Sequence, residues 1–114
     1  MKQNVYKLTL LFDYYGELLT EKQQTCFDLY YNQDLSLSEI AEEAGISRQG
    51  VHDTLARAEA MLLDFEEKTG CVQRDIRARE AADEIIEAAS RLSSIAIAGP
   101  LCEKILSAAN RIKE

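Results

Sequence analysis

The sequence contains little that would interrupt helices or build a covalent framework. Its 114 residues include one proline, five glycines and no tryptophan, and strand-like alternation of β-branched and polar residues is absent. Cysteine is also scarce. The three cysteines, Cys26, Cys71 and Cys102, are an odd number and include no C-x-x-C pair. We therefore expect neither a disulfide framework nor a zinc knuckle.

Long apolar runs and positive charge are scarce as well. The longest apolar stretch, residues 95–102, contains Gly99 and Pro100 and is too short to cross a membrane. Lys7 and Asp13 interrupt any apolar run that could act as a signal sequence, so we expect a cytoplasmic protein with no membrane partner. Thirteen basic and twenty acidic residues give a formal net charge of −7, which is unfavourable for binding a polyanion.

Residues that could carry catalysis or hold a metal are few. His52 is the only histidine, and no cysteine lies within helical reach of it, so a metal site is not expected. The adjacent pairs Glu42-Glu43 and Glu66-Glu67 point in different directions on a helix and cannot form an acid/base dyad. No glycine-rich phosphate loop or nucleophile motif occurs. The sequence therefore predicts a protein that is not an enzyme and needs no cofactor.

What the sequence does contain is helical spacing and helix-capping motifs, which predict an all-α fold. Thr20 with Gln23 and Ser36 with Glu39 have the form of capping boxes, which begin helices. Ser47 is expected to cap a further helix that ends at Gly70. We therefore predict a helix-turn-helix bundle of four helices in residues 1–70, with a C-terminal helical tail in residues 71–114.

The tail is predicted to be a helical hairpin that cannot fold by itself. Residues 71–114 hold seven basic and seven acidic groups, whereas residues 1–70 hold six and thirteen. Gly99-Pro100 should break the tail into two helices. Their predicted apolar stripes are Ile85, Ala89, Leu92 and Ala96, then Leu101, Ile105, Ala108 and Ile112. The hairpin should dock on the first four helices or on another chain, and we predict a homodimer to which it contributes.

The most specific pattern is that of a helix-turn-helix unit. Ala41, Gly45 and Val51 have the spacing that this unit needs: a small residue, a left-handed turn, and an apolar residue that fixes the second helix. The remaining apolar positions are filled by Ile40, Ala44, Ile46 and Leu55. Tyrosines 14, 15, 30 and 31 are interpreted as half-buried core rather than as a platform for stacking bases.

The outer face of the second helix of this unit is the candidate site. The predicted nucleic-acid-binding residues are Ser47, Arg48, Gln49, His52 and Arg57. Arg48 suits a phosphate or a guanine edge, and Gln49 suits an adenine. The alternative is an ordinary solvated surface, because Asp53 repels phosphates and residues 47–62 have a net charge of zero.

Most of residues 8–68 resembles the YlxM family of small bacterial helix-turn-helix proteins. The resemblance rests on LFDYY at 11–15, LLTEKQ at 18–23, DLYY at 28–31, LSEIAEE at 37–43, SRQGVHD at 47–53 and EAML at 59–62. Residues 40–62 are also similar to region 4 of sigma factors. The resemblance implies a non-enzymatic regulatory protein of the signal recognition particle pathway. The partners it implies are the GTPases Ffh and FtsY and the small RNA.

Three functions follow from these observations as hypotheses. The first is a regulator that modulates the signal recognition particle machinery through protein contacts. The second is a DNA-binding transcriptional regulator that reads DNA through the helix starting at Ser47. The third is a helical adaptor without a nucleic-acid partner. Salt dependence of binding distinguishes contact with phosphates from contact with a protein.

Overall fold

The chain folds as an all-α protein, as the sequence predicts. A computed structural model describes residues 4–95 and 98–114, and this part of the chain contains six α-helices and no strand. The helices are α1 (Val5–Tyr15), α2 (Glu21–Phe27), α3 (Leu37–Ala44), α4 (Arg48–Thr69), α5 (Cys71–Leu92) and α6 (Gly99–Lys113). The chain divides into two compact units, Met1–Gly70 and Cys71–Glu114. None of the helices described is long and apolar enough for a membrane crossing.

Both predicted capping boxes are confirmed. At the start of α2, the Thr20 hydroxyl accepts from the backbone N–H of Gln23 at 3.2 Å, and the Gln23 amide oxygen accepts from the Thr20 N–H at 3.0 Å. At the start of α3, Ser36 and Glu39 make the same reciprocal pair at 3.1 and 3.0 Å. Each box satisfies two backbone donors that have no partner within the helix.

The second helix of the bundle is less regular than its sequence indicates. After α2 ends at Phe27 the chain continues as a π-helical turn, Asp28–Asn32, and the side chains of Leu29, Tyr30 and Tyr31 are all buried. Three consecutive buried residues do not fit the single apolar stripe of a regular α-helix. The wider π-helical turn accommodates all three side chains. A search for apolar residues spaced 3.6 positions apart does not predict such a turn.

Helix α4 is the central element of the first unit and contacts α1, α2 and α3. Its buried residues, Val51, Leu55, Ala58 and Leu62, are the stripe that the sequence predicts. Stacked aromatic rings also belong to this unit, and the Phe27 ring centroid lies 4.4 Å from those of both Phe12 and Tyr31. Such offset pairs add to the burial of the rings themselves.

The tyrosines are mostly core residues, as predicted. Tyr15, Tyr30 and Tyr31 are buried, whereas Tyr14 is 40% exposed and lies outside the core. The Tyr15 hydroxyl donates to Glu66 Oε1 at 2.5 Å, and it lies 2.6 Å from the hydroxyl of Thr69. These bonds connect the end of α1 to the last turns of α4.

In the second unit, α5 and α6 form an antiparallel hairpin whose contacts differ from those predicted. The two helices pack through small buried residues, Ala82 and Ala89 of α5 and Cys102 and Ala109 of α6. Of the predicted stripes only Ala89 is buried, and the α6 stripe is exposed throughout. Predicted Ala96 lies outside the described residues. Gly99-Pro100 does not end α5, which stops at Leu92, but begins α6, where proline fits the first turn.

Candidate functional site

The turn between α3 and α4 has the geometry of a helix-turn-helix unit. Gly45 ends α3 with φ 70° and ψ 29°, the left-handed conformation that glycine adopts without strain. The backbone N–H groups of Gly45 and Ile46 both donate to the Ala41 carbonyl, at 3.0 and 3.2 Å. Of the positions predicted to be apolar contacts, Ile40 is fully buried but Ala44 is exposed. Ala44 is therefore not part of the packing, which corrects the prediction.

Ser47 has a structural role at the start of α4. Its backbone is extended and its hydroxyl accepts from the Gly50 N–H at 2.9 Å, which makes it the N-cap of the helix. One oxygen lone pair of Ser47 is thus engaged with its own helix. The side chain is exposed, so the hydroxyl can still face a partner.

The first turns of α4 present a surface on which one carboxylate lies against two of the predicted site residues. The Gln49 side-chain amide donates to Asp53 Oδ1 at 3.0 Å, and His52 Nδ1 lies 3.6 Å from the same oxygen. Asp53 therefore accepts a hydrogen bond from Gln49, one of the predicted contact residues, and lies close to a second, His52. To contact an adenine, Gln49 would first have to release this carboxylate.

A shallow depression of about 380 Å³ brings three of the predicted site residues together. Arg48, Gln49 and His52 line it, and Leu37 of α3 completes it. A smaller neighbouring depression of about 80 Å³ shares Leu37 and His52. Its other lining residues are Tyr30, Leu55, Ala56 and Glu59. His52 thus lies at the border between the two depressions and lines both.

Arg57 is not part of this cluster. It follows His52 by five residues, so it lies about 140° around α4, on the far side of Asp53. Neither depression includes Arg57 or Ser47 in its lining. The structure therefore brings three of the five predicted site residues together and places the other two at the margins.

Sequence reasoning did not predict that Leu37, Tyr30 and Glu59 line the smaller depression. Leu37 and Tyr30 are apolar residues on helical spacing, and that signal indicates core. Only tertiary packing brings the start of α3 and the π-helical turn beside His52.

Glu59 links the surface to the core. The buried Tyr31 hydroxyl donates a hydrogen bond to Glu59 Oε1. Burial of the phenol, together with this bond and the nearby Glu59 charge, raises the pKa of Tyr31 well above its usual value. Tyr31 therefore stays neutral at physiological pH and fixes the Glu59 carboxylate at the edge of the smaller depression.

Across residues 4–95 and 98–114, no group of three histidine, cysteine, aspartate or glutamate side chains could hold a metal ion. Helices α3 and α4, joined by the left-handed turn at Gly45, define the molecule as a helix-turn-helix protein.

Comparison with known proteins places the chain in a family of such proteins. Residues 2–97 match the UPF0122 family, described as "Putative helix-turn-helix protein, YlxM / p13 like". A UPF0122 protein of Desulforamulus reducens is 52% identical over 81 residues, which is 71% of this chain and 69% of the relative. One of Symbiobacterium thermophilum is 45% identical over 89 residues, 78% of this chain and 83% of the relative. The chain belongs to the UPF0122 family of YlxM/p13-like helix-turn-helix proteins.

Proposed function

We propose that this protein is a cytoplasmic, non-enzymatic regulator that binds a GTPase of the signal recognition particle pathway, Ffh or FtsY, through the first turns of α4. We infer the pathway from the resemblance to the YlxM family. The surface comes from the helix-turn-helix unit, where Arg48, Gln49 and His52 converge on one depression beside Leu37.

The mixed chemistry of this surface is the observation that supports a protein partner. Asp53 is 58% exposed and bonded to Gln49, so a negative charge stands in the middle of the face that would approach phosphates. Basic and acidic residues are equal in number over residues 47–62, and the first unit carries the whole net charge of −7. Polyanion binding relies on an excess of Lys and Arg, whereas protein interfaces combine apolar cores with paired charges.

A pulldown from native cytosol with and without nuclease tests this proposal. We expect the full chain to retain Ffh or FtsY after nuclease treatment, and the His52→Ala and Gln49→Ala variants to retain much less. The matched control is Gln33→Ala, a polar change at an exposed position outside α4, where the side-chain amide donates to Asp28. Retention of neither GTPase by the wild-type chain, or loss of both after nuclease treatment, would contradict the proposal.

A DNA-binding function is the second candidate, because four of the predicted contact residues, Ser47, Arg48, Gln49 and His52, are exposed at the start of a helix-turn-helix second helix. This hypothesis requires affinity for DNA that falls steeply between about 50 and 200 mM salt. It also requires the Arg48→Ala and Gln49→Ala variants to bind more weakly. If neither variant changes DNA or RNA binding, this candidate fails.

A further inference from the structure

The hairpin of α5 and α6 leaves large apolar side chains exposed, because the two helices pack against each other through other, smaller residues. The exposed residues on one stripe of each helix are between 40% and 64% exposed: Ile85, Leu92, Leu101, Ile105 and Ile112. Surface apolar residues are ordinary when scattered, but a contiguous group of this size requires an explanation.

These residues follow the spacing by which helices pack against other helices. On α5 the exposed apolar positions alternate three and four residues apart: Ala78, Ala81, Ile85, Ala88 and Leu92. On α6 the exposed stripe is Leu101, Ile105, Ala108 and Ile112. A repeat of this kind is the seam of coiled coils and four-helix bundles.

Both stripes lie on the same side of the hairpin. Four of these five side chains come three residues after a buried residue of the helix contact: Ile85 after Ala82, Leu92 after Ala89, Ile105 after Cys102 and Ile112 after Ala109. The fifth, Leu101, directly precedes Cys102. Three residues correspond to the same rotation, about 60°, on both helices. The helices are antiparallel, with Lys113 Nζ 2.6 Å from Asp83 Oδ1, and equal rotations from facing positions therefore lead to one side. We call these two stripes together the hairpin apolar face.

The charge of the second unit favours a second copy of this chain as the occupant. Seven basic and seven acidic residues balance within residues 71–114, so two copies can approach through this unit without net repulsion. The first units, with six basic and thirteen acidic residues, would repel each other. An anionic lipid surface would call for an excess of basic residues, which this unit lacks.

The size of the face is close to the lower limit of standard interfaces. The 15 residues of α6 span about 22 Å, and two helices side by side are about 20 Å wide, which gives a projected area on the order of 440 Å². The accessible area of a ridged helical surface exceeds its projection. Two such faces therefore approach the total of about 1,200 Å² at which standard interfaces begin.

From this geometry we infer that two copies of the chain associate through the hairpin apolar face and form a four-helix bundle of two α5–α6 hairpins. The arrangement is isologous: the same face of each copy covers the other. This inference is independent of the partner proposed for α4. A dimer would carry two α4 surfaces, which increases avidity for any partner that presents two sites.

Sedimentation of the full chain at 10 to 100 μM tests the inference. We expect the wild-type protein to sediment at twice its monomer mass of 12.8 kDa, and the Ile85→Glu/Ile105→Glu double variant to sediment as a monomer. The matched control is Ile76→Glu, which lies nine residues before Ile85, about 180° around α5, and is 36% exposed. This control should remain dimeric.

A milder pair, Ile85→Ser with Ile105→Ser, guards against loss of folding, and far-ultraviolet circular dichroism should show unchanged helix content. A monomeric wild-type protein at 100 μM would overturn the inference, and so would a folded double variant that is still dimeric. Flotation of a monomeric wild-type protein with phosphatidylcholine vesicles would also overturn it, since lipid would then be the occupant.

Discussion

At the scale of single residues, side chains in the core determine what the surface can present. Tyr31 is buried among aromatic rings and holds Glu59, which lines the depression beside His52. Asp53 likewise fixes the side chain of Gln49, from which it accepts a hydrogen bond. Sequence reasoning identified His52 and Gln49 because they are exposed polar residues on a helix face. It could not identify Glu59, because that role depends on a hydrogen bond between residues 28 positions apart.

Replacing Tyr31 by phenylalanine should lower the free energy of unfolding by about 1 to 2 kcal/mol at neutral pH, since a partly buried hydrogen bond to a carboxylate is lost. The pKa of the folded-state phenol is raised, so its stabilisation is complete below pH of about 10 and declines as the pH rises above that value. Urea titrations between pH 8 and 11 measure both effects.

The control for Tyr31→Phe is Tyr6→Phe, at a position that is 82% exposed. This variant should unfold like the wild-type protein and keep the same decline in stability above pH 10. The Tyr31→Phe variant should show a shallower decline, because the group that resists ionisation is absent. An equal decline in all three proteins would show that Tyr31 does not have a raised pKa.

At the scale of elements, local chemistry predicted where most helices begin and end. The capping boxes at Thr20 and Ser36, the cap at Ser47 and the glycine stops at Gly45 and Gly70 all occur as expected. These features depend on residues within one turn of each other, which the sequence displays directly. The π-helical turn and the face by which α6 packs depend on tertiary contacts, so periodicity alone could not predict them.

The Ser36→Ala variant should lose about 1 kcal/mol of stability, because the N3 backbone donor of α3 loses its acceptor. The pKa of Glu39 is lowered chiefly by a hydrogen bond from the Ser36 backbone and, to a smaller extent, by one from the Ser36 side chain. The variant removes the side-chain bond. The Glu39 pKa should therefore rise toward its ordinary value. Carboxyl titration by NMR measures it, and Ser38→Ala, an exposed change in the same helix, should leave it unaltered.

A change at Gly45 should disturb the turn between α3 and α4. An added Cβ meets no atom within 4 Å, but the left-handed backbone at φ 70° costs a non-glycine residue roughly 1–2 kcal/mol. Gly45→Ala should therefore lower stability by that amount, and Gly45→Asn by less. The control is Gly99→Ala, on α6, where an added Cβ also meets nothing and the backbone is helical. Thermal unfolding that is equal for Gly45→Ala and Gly99→Ala would contradict this reasoning.

At the scale of the whole molecule, charge is divided unequally along the chain. The first unit, which contains the helix-turn-helix, carries the full −7, and the second is balanced. The family and the fold class could be predicted from the sequence, because motif spacing and helix signals are local. The stripes of the hairpin apolar face could also be predicted, but neither their exposure nor the place of Leu37, Tyr30 and Glu59 beside His52 could, since these depend on which residues the packing buries.

The most direct test of the account is the affinity of the purified chain for purified Ffh and FtsY, each measured by fluorescence anisotropy at about 50 and 200 mM salt. We predict binding to one GTPase without RNA, with Kd changing less than about threefold across this range. The His52→Ala variant should weaken it at least tenfold, and Gln33→Ala should not. Absence of binding to both GTPases, together with steeply salt-dependent binding to RNA or DNA, would contradict the account.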